Sequence, residues 1–179
     1  MIRPEFSRLI PLDRLSSKEK TFTIEADAKE RTALAERLGV PEVRAVRAEI
    51  ALRLAQGGRI VLLRGRLHAD LVQYCVVTLD PVETQVDEEF TRSYSTAEGR
   101  EPAEVVVEMD EDDPPEPVEN GQVDIGEAAA EHLALAMDPF PRAAGVSYEP
   151  LPETADSEAP EGPRRPNPFE VLAEHRKKV

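Results

Sequence analysis

The 179-residue chain lacks most of what builds disulfide-rich, zinc-binding or membrane-spanning proteins. Its one cysteine excludes an internal disulfide and leaves too few thiols for a cysteine-based zinc site. Tryptophan is absent and aromatic residues make up only 4%, so any core must be aliphatic. No apolar run approaches the roughly 20 residues that cross a bilayer, and the N-terminus has no hydrophobic signal-peptide segment. These absences predict a cytoplasmic protein that is not in a membrane.

Basic residues are scarce in the middle of the chain. Residues 67–163 carry 3 basic and 25 acidic residues, whereas residues 1–66 carry 14 basic and 9 acidic ones. The formal net charge is -14, and a chain of this charge repels phosphate at long range. A protein surface that is coated with nucleic acid is therefore not expected. A local basic face in the first third stays open, and the acidic middle favours basic partners.

Composition divides the chain into one structured domain and flexible parts. For residues 1–142 we expect a single α+β domain. A long central hairpin lies in its antiparallel β-sheet, and two or three helices pack on one face. The insert at about 97–121 is rich in acids and prolines, and we expect it to be disordered or loosely held. The proline-rich residues 143–166 predict an extended linker, and residues 167–179 predict a short C-terminal helix.

Helix-capping patterns mark two helices within the predicted domain. Asp27 and Glu30 form a capping-box pattern before an amphipathic segment that stops at Gly39. Asp124 and Glu127 form a second such pattern before an apolar segment. Strands outside the central hairpin are predicted at 5–10, 21–25 and 83–94.

The clearest local pattern is the central β-hairpin. Residues 43–54 and 60–76 flank Gly57 and Gly58, which supply the two positive-φ residues of a type I′ turn. If Gly57 and Gly58 form the loop, the strand pairing is fixed. One face of the hairpin then consists of five pairs without a charged residue, namely Val46–Ala69, Ala48–Leu67, Ile50–Gly65, Leu52–Leu63 and Leu54–Val61. We expect that face to be buried, and a slip of one residue would exchange the two faces.

The opposite face of the hairpin gathers the candidate binding residues, which are Arg47, Arg53, Arg64, Arg66 and His68. Guanidinium groups on a rigid sheet can bind RNA phosphates or a carboxylate-rich partner. The alternative is an ordinary solvated strand face, on which Glu49 forms a cross-strand pair with Arg66.

Catalytic patterns are weak throughout the sequence. Cys75 lies on the buried alternation of the second hairpin strand and is interpreted as a structural thiol, because the nearest histidine, His68, lies on the opposite alternation. No serine-histidine-aspartate spacing, phosphate loop or dinucleotide-binding glycine pattern occurs. The acids at 110–113 would serve a metal-dependent nuclease only if rigid elements held them together. We therefore expect a protein that is not an enzyme and has no catalytic residues, no metal site and no cofactor.

Four stretches of the chain carry a family resemblance, and these are Pro4–Arg8, Gln73–Val82, Val123–Arg142 and Asn167–Leu172. In this order they resemble the YceD-type large ribosomal RNA subunit accumulation proteins, with the closest likeness to the alphaproteobacterial branch. Many relatives have a second cysteine three positions after the one that matches Cys75, and a cysteine pair near the C-terminal end. Here Thr78 stands at the first position and the later cysteines are missing, so metal binding does not transfer from those relatives.

The resemblance implies a non-enzymatic ribosome-biogenesis factor that supports the synthesis, processing or stability of large-subunit 23S ribosomal RNA. It implies that this RNA or its precursor is a direct or indirect partner, and that a basic large-subunit ribosomal protein is a further candidate. Two interpretations stay open. Either the arginine face contacts RNA directly, or the chain is an acidic interaction module or chaperone for a basic ribosomal protein without RNA contact. The acidic insert would then hold that protein, or serve only as a solubilising loop.

Overall fold

The alternation of apolar and polar residues in the first two thirds of the chain builds a β-sheet, and helices cover one of its faces. The computed structural model describes residues 4–96, 114–118 and 120–147. The elements within these residues are β1 (Leu9–Pro11), β2 (Lys20–Glu25), α1 (Ala28–Leu38), β3 (Glu42–Ala55), β4 (Ile60–Tyr74), β5 (Pro81–Ser95), β6 (Glu116–Pro117), β7 (Gln122–Asp124) and α2 (Ile125–Ala136). The predicted α+β class is confirmed.

The main sheet has the strand order β2-β3-β4-β5-β6, and β1 pairs with β7 in a separate two-stranded ribbon. Strands β2 to β5 pair antiparallel, as predicted, but β6 runs parallel to β5, with Tyr94 opposite Glu116. The prediction of an antiparallel sheet is therefore wrong at this edge. The connection after Ser95 is long enough for the chain to return and run beside β5 in the same direction.

The flexible regions that composition predicts fall mainly outside the described residues. Residues 97–113 of the predicted insert lie outside them, whereas β6 lies inside the insert and pairs with the sheet. The linker predicted at 143–166 is described only as far as Ser147, and the helix predicted at 167–179 lies outside the described residues. These boundaries stay predictions.

The register of the central hairpin is the predicted one. Ile50 pairs with Gly65 and Leu52 pairs with Leu63, and the other three predicted apolar pairs also form. A bulge at Arg44 shifts the register by one residue at the far end of β3. The apolar face is buried, so the prediction of which face points inward is confirmed.

The loop of this hairpin is longer than the predicted two-residue turn. Ala55 pairs with Ile60, so four residues form the loop, and Gln56, Gly57 and Gly58 have φ angles of 48°, 68° and 90°. The predicted and the observed loop are both centred between Gly57 and Gly58. Both loops give the same register, so the pairing of β3 with β4 was predicted correctly although the length of the turn was not.

The core lies between the inner face of the sheet and the two helices. Its largest fully buried side chains are Phe6, Leu34, Ile50, Leu52, Leu63, Leu67, Leu71, Ile125 and Leu133. Helix α1 packs on β3, and helix α2 packs on β4 and β5. The predicted capping box of α1 is present, with the Asp27 carboxylate accepting from the Glu30 amide, and Gly39 ends the helix at φ 66°.

Asp124 joins the N-terminal segment to α2. Its carboxylate accepts hydrogen bonds from Ser7 Oγ at 2.5 Å and from the Arg8 amide at 2.7 Å, and it also caps α2. The second predicted capping box is only half right, because Glu127 instead forms an ion pair with Arg37 at 2.6 Å. The strand predicted at 5–10 is wrong in extent. Ser7 and Arg8, which lie in the predicted range, hydrogen-bond to Asp124, and the observed strand runs from Leu9 to Pro11.

We predict that Gly126→Ala destabilises the fold. A Cβ atom at Gly126 would lie 2.6 Å from the Phe6 carbonyl oxygen and 3.0 Å from the Arg8 amide nitrogen. Backbone atoms cannot turn aside as the end of a side chain can, so overpacking should lower the free energy of unfolding by about 1–3 kcal/mol. This loss opposes the better helix propensity of alanine. Urea unfolding followed by circular dichroism measures the change.

The exposed helical residue Ala134 provides the control for this substitution. Ala134→Gly should cost about 1 kcal/mol through helix propensity alone. If Gly126→Ala unfolds at the same urea concentration as the unmodified chain or at a higher one, the close approach of Phe6 to α2 is wrong.

Candidate nucleic-acid interface

The outer face of the sheet, opposite the helices, holds the five predicted binding residues. Arg47 and Arg53 come from β3, and Arg64, Arg66 and His68 come from β4. The hairpin register sets Arg47 opposite His68 and Arg53 opposite Leu62. The four guanidinium groups are exposed, because their neighbours in sequence occupy the buried face.

Acidic residues of β5 pair with two of these five residues, Arg66 and His68. The β4–β5 register sets Glu89 opposite Arg66 and Asp87 opposite His68. Arg66 binds the Glu89 carboxylate through both Nε and Nη2, and His68 Nδ1 lies 2.8 Å from Asp87 Oδ1. The hydrogen bond with Asp87 raises the pKa of His68. Exposed pairs of this kind contribute little to stability, but they remove net positive charge from the surface.

The other arginines of the outer face form no ion pair with a residue that the structure describes. In the part of the chain that the structure describes, Arg47, Arg53 and Arg64 have no carboxylate oxygen within 4 Å. Arg47 lies opposite Glu25 of β2, whereas Arg53 and Arg64 lie near the hairpin loop, where β5 contributes Thr91 and Ser93. The five predicted residues therefore lie on one face of the sheet. Among the described residues, carboxylates of β5 pair with Arg66 and His68 but not with the other three arginines.

A groove of about 550 Å³ opens beside Arg53 and Arg64. Its lining includes the hydroxyl-bearing residues Thr91 and Ser93 and two carboxylates, those of Glu19 and Glu116. A second, smaller groove lies between Arg64 and Arg66 and includes three carboxylates, those of Glu19, Glu49 and Glu89. The first groove combines guanidinium and hydroxyl donors in the way that phosphate or sugar oxygens require.

One cluster beside the first groove was not predicted from the sequence. Arg92 forms an ion pair with Glu131 at 2.6 Å and donates from Nε to His132 Nε2 at 3.1 Å. The His132 ring stacks on Phe90 at a centroid distance of 4.1 Å, and Phe90 in turn covers Gly65. The cluster joins β5 to α2 across 40 residues of sequence, and the charged and aromatic residues show no local spacing that would indicate it.

Cys75 is buried, which confirms the interpretation of a buried thiol. The strand ends one residue earlier, at Tyr74, and Cys75 opens the turn to β5. Hydrogen bonds from Thr78, first from its hydroxyl, and from the Ala143 amide lower the pKa of the Cys75 thiol to about 7. Among the described residues no histidine hydrogen-bonds to the sulfur.

Neither a metal-binding cluster nor a membrane-spanning helix is found within the described residues. No group of three or more histidine, cysteine, aspartate or glutamate side chains within them could hold a metal ion. None of their helices has the length and apolar character that crossing a membrane requires.

We predict that His132 makes the fold less stable in acid. Burial, together with the Arg92 guanidinium, lowers the pKa of His132, although Glu131, Glu88 and Glu116 act in the opposite direction. A histidine with a lowered pKa contributes stability fully above its unfolded value of about 6.5 and loses it as the pH falls through the folded value. Urea unfolding between pH 8 and pH 5 measures this loss.

His132→Gln is the matched variant, because glutamine keeps a hydrogen-bond acceptor for Arg92 but does not titrate. The difference in the free energy of unfolding between the two proteins should shrink as the pH falls. The opposite pH dependence of His68 cancels in this comparison, since both proteins contain that residue. A difference that does not change with pH would show that His132 does not carry the effect.

Comparison with known proteins gives the chain a family. Residues 63–174 match the family model described as large ribosomal RNA subunit accumulation protein YceD. No curated protein and no solved structure matches the chain. The match covers more than half of the sequence, including nearly all of β4 and the whole of β5 and α2. The description connects the family with the accumulation of large-subunit ribosomal RNA, which is a part of ribosome biogenesis. The resemblance seen in the sequence is confirmed, and the chain belongs to the YceD family of large ribosomal RNA subunit accumulation proteins.

Proposed function

We propose that the protein is a non-enzymatic ribosome-biogenesis factor that supports the accumulation of large-subunit 23S ribosomal RNA. It contacts this RNA or its precursor directly, through Arg53 and Arg64 at the hairpin end of the outer face. Family membership supports the class of RNA. The point of contact is supported by the two arginines having no carboxylate oxygen within 4 Å among the described residues.

The observation that carries the proposal is the contrast between Arg64 and Arg66, which lie two residues apart on β4. Arg66 is held by Glu89, so a phosphate would have to displace a carboxylate before binding to it. Arg64 requires no such exchange with any described residue. A guanidinium group without a carboxylate partner binds phosphate at a lower cost, because no existing charge-assisted hydrogen bond is lost.

The neighbours of the two arginines indicate the kind of RNA contact. Next to them on the outer face lie Ala51, Leu62 and Thr91. None of these side chains is an aromatic platform on which an unpaired base could stack. The contact would therefore reach phosphates and sugars, whose positions depend on the shape of the RNA more than on its sequence.

The absence of catalysis is also part of the proposal. Cys75, the one thiol, is buried and lacks a histidine partner within the described residues. On the outer face, carboxylates engage Arg66 and His68, and those of Glu19 and Glu49 line the grooves without an ion-pair partner among the described residues. The described residues thus offer RNA a surface for binding rather than a set of reacting groups.

We predict that the double variant Arg53→Ala/Arg64→Ala loses RNA affinity. The probe is a 23S ribosomal RNA transcript in filter binding over a series of salt concentrations. Each lost phosphate contact lowers the slope of log affinity against log salt by about 0.7–0.9. The double variant should thus show a slope smaller by about 1.5 and a weaker affinity at low salt.

Arg66→Ala is the control, because it removes the same side chain from the same strand at a position where Glu89 already neutralises it. It should change the salt slope by much less than the double variant does. A loss in Arg66→Ala half as large as that in the double variant, one charge against two, would indicate general electrostatics rather than a defined contact. If the unmodified chain does not bind the transcript even at low salt, direct contact is wrong, and the indirect role through a basic ribosomal protein takes its place.

A further inference from the structure

The turn between β4 and β5 presents apolar side chains to solvent, at the opposite end of β4 from the hairpin loop. These side chains, together called the turn patch, are Tyr74, Val76, Val77, Leu79 and Phe140, and they are between 40% and 73% exposed. The Val76 amide donates to the Pro141 carbonyl at 2.9 Å, which places Phe140 beside the turn. Neighbouring exposed apolar residues of this size mark an interaction surface more often than an ordinary protein surface.

The turn patch is held in a fixed conformation by Cys75. The Cys75 amide donates to the Asp80 carbonyl at 2.8 Å, and the Cys75 carbonyl accepts from the Leu79 amide at 2.9 Å. The buried sulfur accepts from the Thr78 amide at 3.4 Å. Because these bonds order the backbone before any partner arrives, binding at the patch would lose little conformational entropy.

Leu79 is a residue that folding alone would not favour at its position. Its φ angle is 63°, in the left-handed region that glycine and asparagine tolerate better than leucine, and its side chain is 73% exposed. An apolar side chain in water and a strained backbone both oppose stability. Strained residues of this kind concentrate at functional sites.

Charge around the turn patch indicates what it binds. Asp80 lies in the turn, Asp138 lies two residues before Phe140, and the exposed Arg142 lies two residues after it, so carboxylates outnumber guanidinium groups along this border. The one arginine on the neighbouring β3 segment, Arg44, is engaged by Glu42 and Glu83. Exposed apolar side chains with carboxylates at their border complement a polypeptide in which apolar side chains alternate with lysine or arginine. The same carboxylates oppose an RNA ligand at the turn patch.

We propose that the turn patch docks a lysine- and arginine-rich protein segment through apolar anchors. This surface is separate from the arginines of the proposed RNA contact, and it adds a protein partner to that function. The Gln73–Val82 stretch, which the RNA contact leaves without a role, forms most of it.

The test uses RNA-free protein extracted from large ribosomal subunits as the probe, a choice that rests on the proposed function. The full chain is immobilised, the retained proteins are identified, and the affinity of the main one is measured with purified components. The test variant is Val77→Ser/Leu79→Asn, and asparagine at position 79 tolerates the positive φ angle. Leu9→Ser is the matched control, since Leu9 is also exposed but lies on β1.

We expect a lysine- and arginine-rich protein to be retained. The affinity of this protein for the test variant should be about tenfold or more lower than for the unmodified chain, and its affinity for the control should be unchanged. The melting temperature of the test variant should be equal or higher, and its affinity for the 23S transcript should be unchanged. A failure of the RNA contact would thus appear separately from a failure of the turn patch.

Three results would overturn the proposal. One is that no lysine- and arginine-rich protein is retained, or that the test variant retains it equally well. Another is that the unmodified chain dimerises in sedimentation and the test variant does not, because the occupant would then be a second copy. The third is that the test variant unfolds at a clearly lower temperature, because the patch would then be covered within the chain itself.

Discussion

The pairing of β3 with β4 is the constraint on which the rest of the structure depends. In the observed register Ile50, Leu52 and Leu63 point inward, and burial of each such side chain contributes about 1.5–3 kcal/mol. A slip of one residue would expose them and force Arg53 and Arg64 into the core, where an unpaired charge costs several kcal/mol. The penalty for the wrong register is therefore large compared with the stability of an ordinary domain. The outward direction of the arginines follows from the packing beneath them, with no requirement from any ligand.

The same alternation sets the charge pattern of the outer face. On β5 it directs Phe90 inward and therefore Glu89 outward, onto Arg66. Nearer the hairpin loop the outward positions of β5 change from acids to hydroxyls, at Thr91 and Ser93. Arg64, opposite Thr91, and Arg53 on the next strand form no ion pair with a described residue. Along this face, β4 therefore passes from residues paired with β5 carboxylates to an arginine that has no carboxylate oxygen within 4 Å among the described residues.

The sequence was sufficient to predict the central hairpin because its evidence is local. The two strands are close together, the glycines fix the centre of the loop, and five uncharged pairs exclude other registers. The candidate site was only partly predictable. Glu89 neutralises Arg66 because the β4–β5 register sets the two residues opposite each other. That register is determined by the length of the turn after Tyr74, and no residue pattern in the sequence fixes that length. Contacts between distant segments, such as Asp124 with Arg8, or β6 beside β5, depend on how the whole chain returns to the sheet.

The length of β4 gives the two proposed surfaces their relation to each other. Arg64 and Tyr74 are ten residues apart on one continuous strand, which corresponds to about 33 Å at 3.3 Å per residue. Electrostatic screening in physiological salt acts over about 8 Å, so carboxylates at the turn patch do not cancel the positive charge near the hairpin loop. Because strands pair along the whole of β4, the two ends cannot approach each other. On the proposed function, such a sheet would hold an RNA at one end and a basic protein at the other, without competition between them.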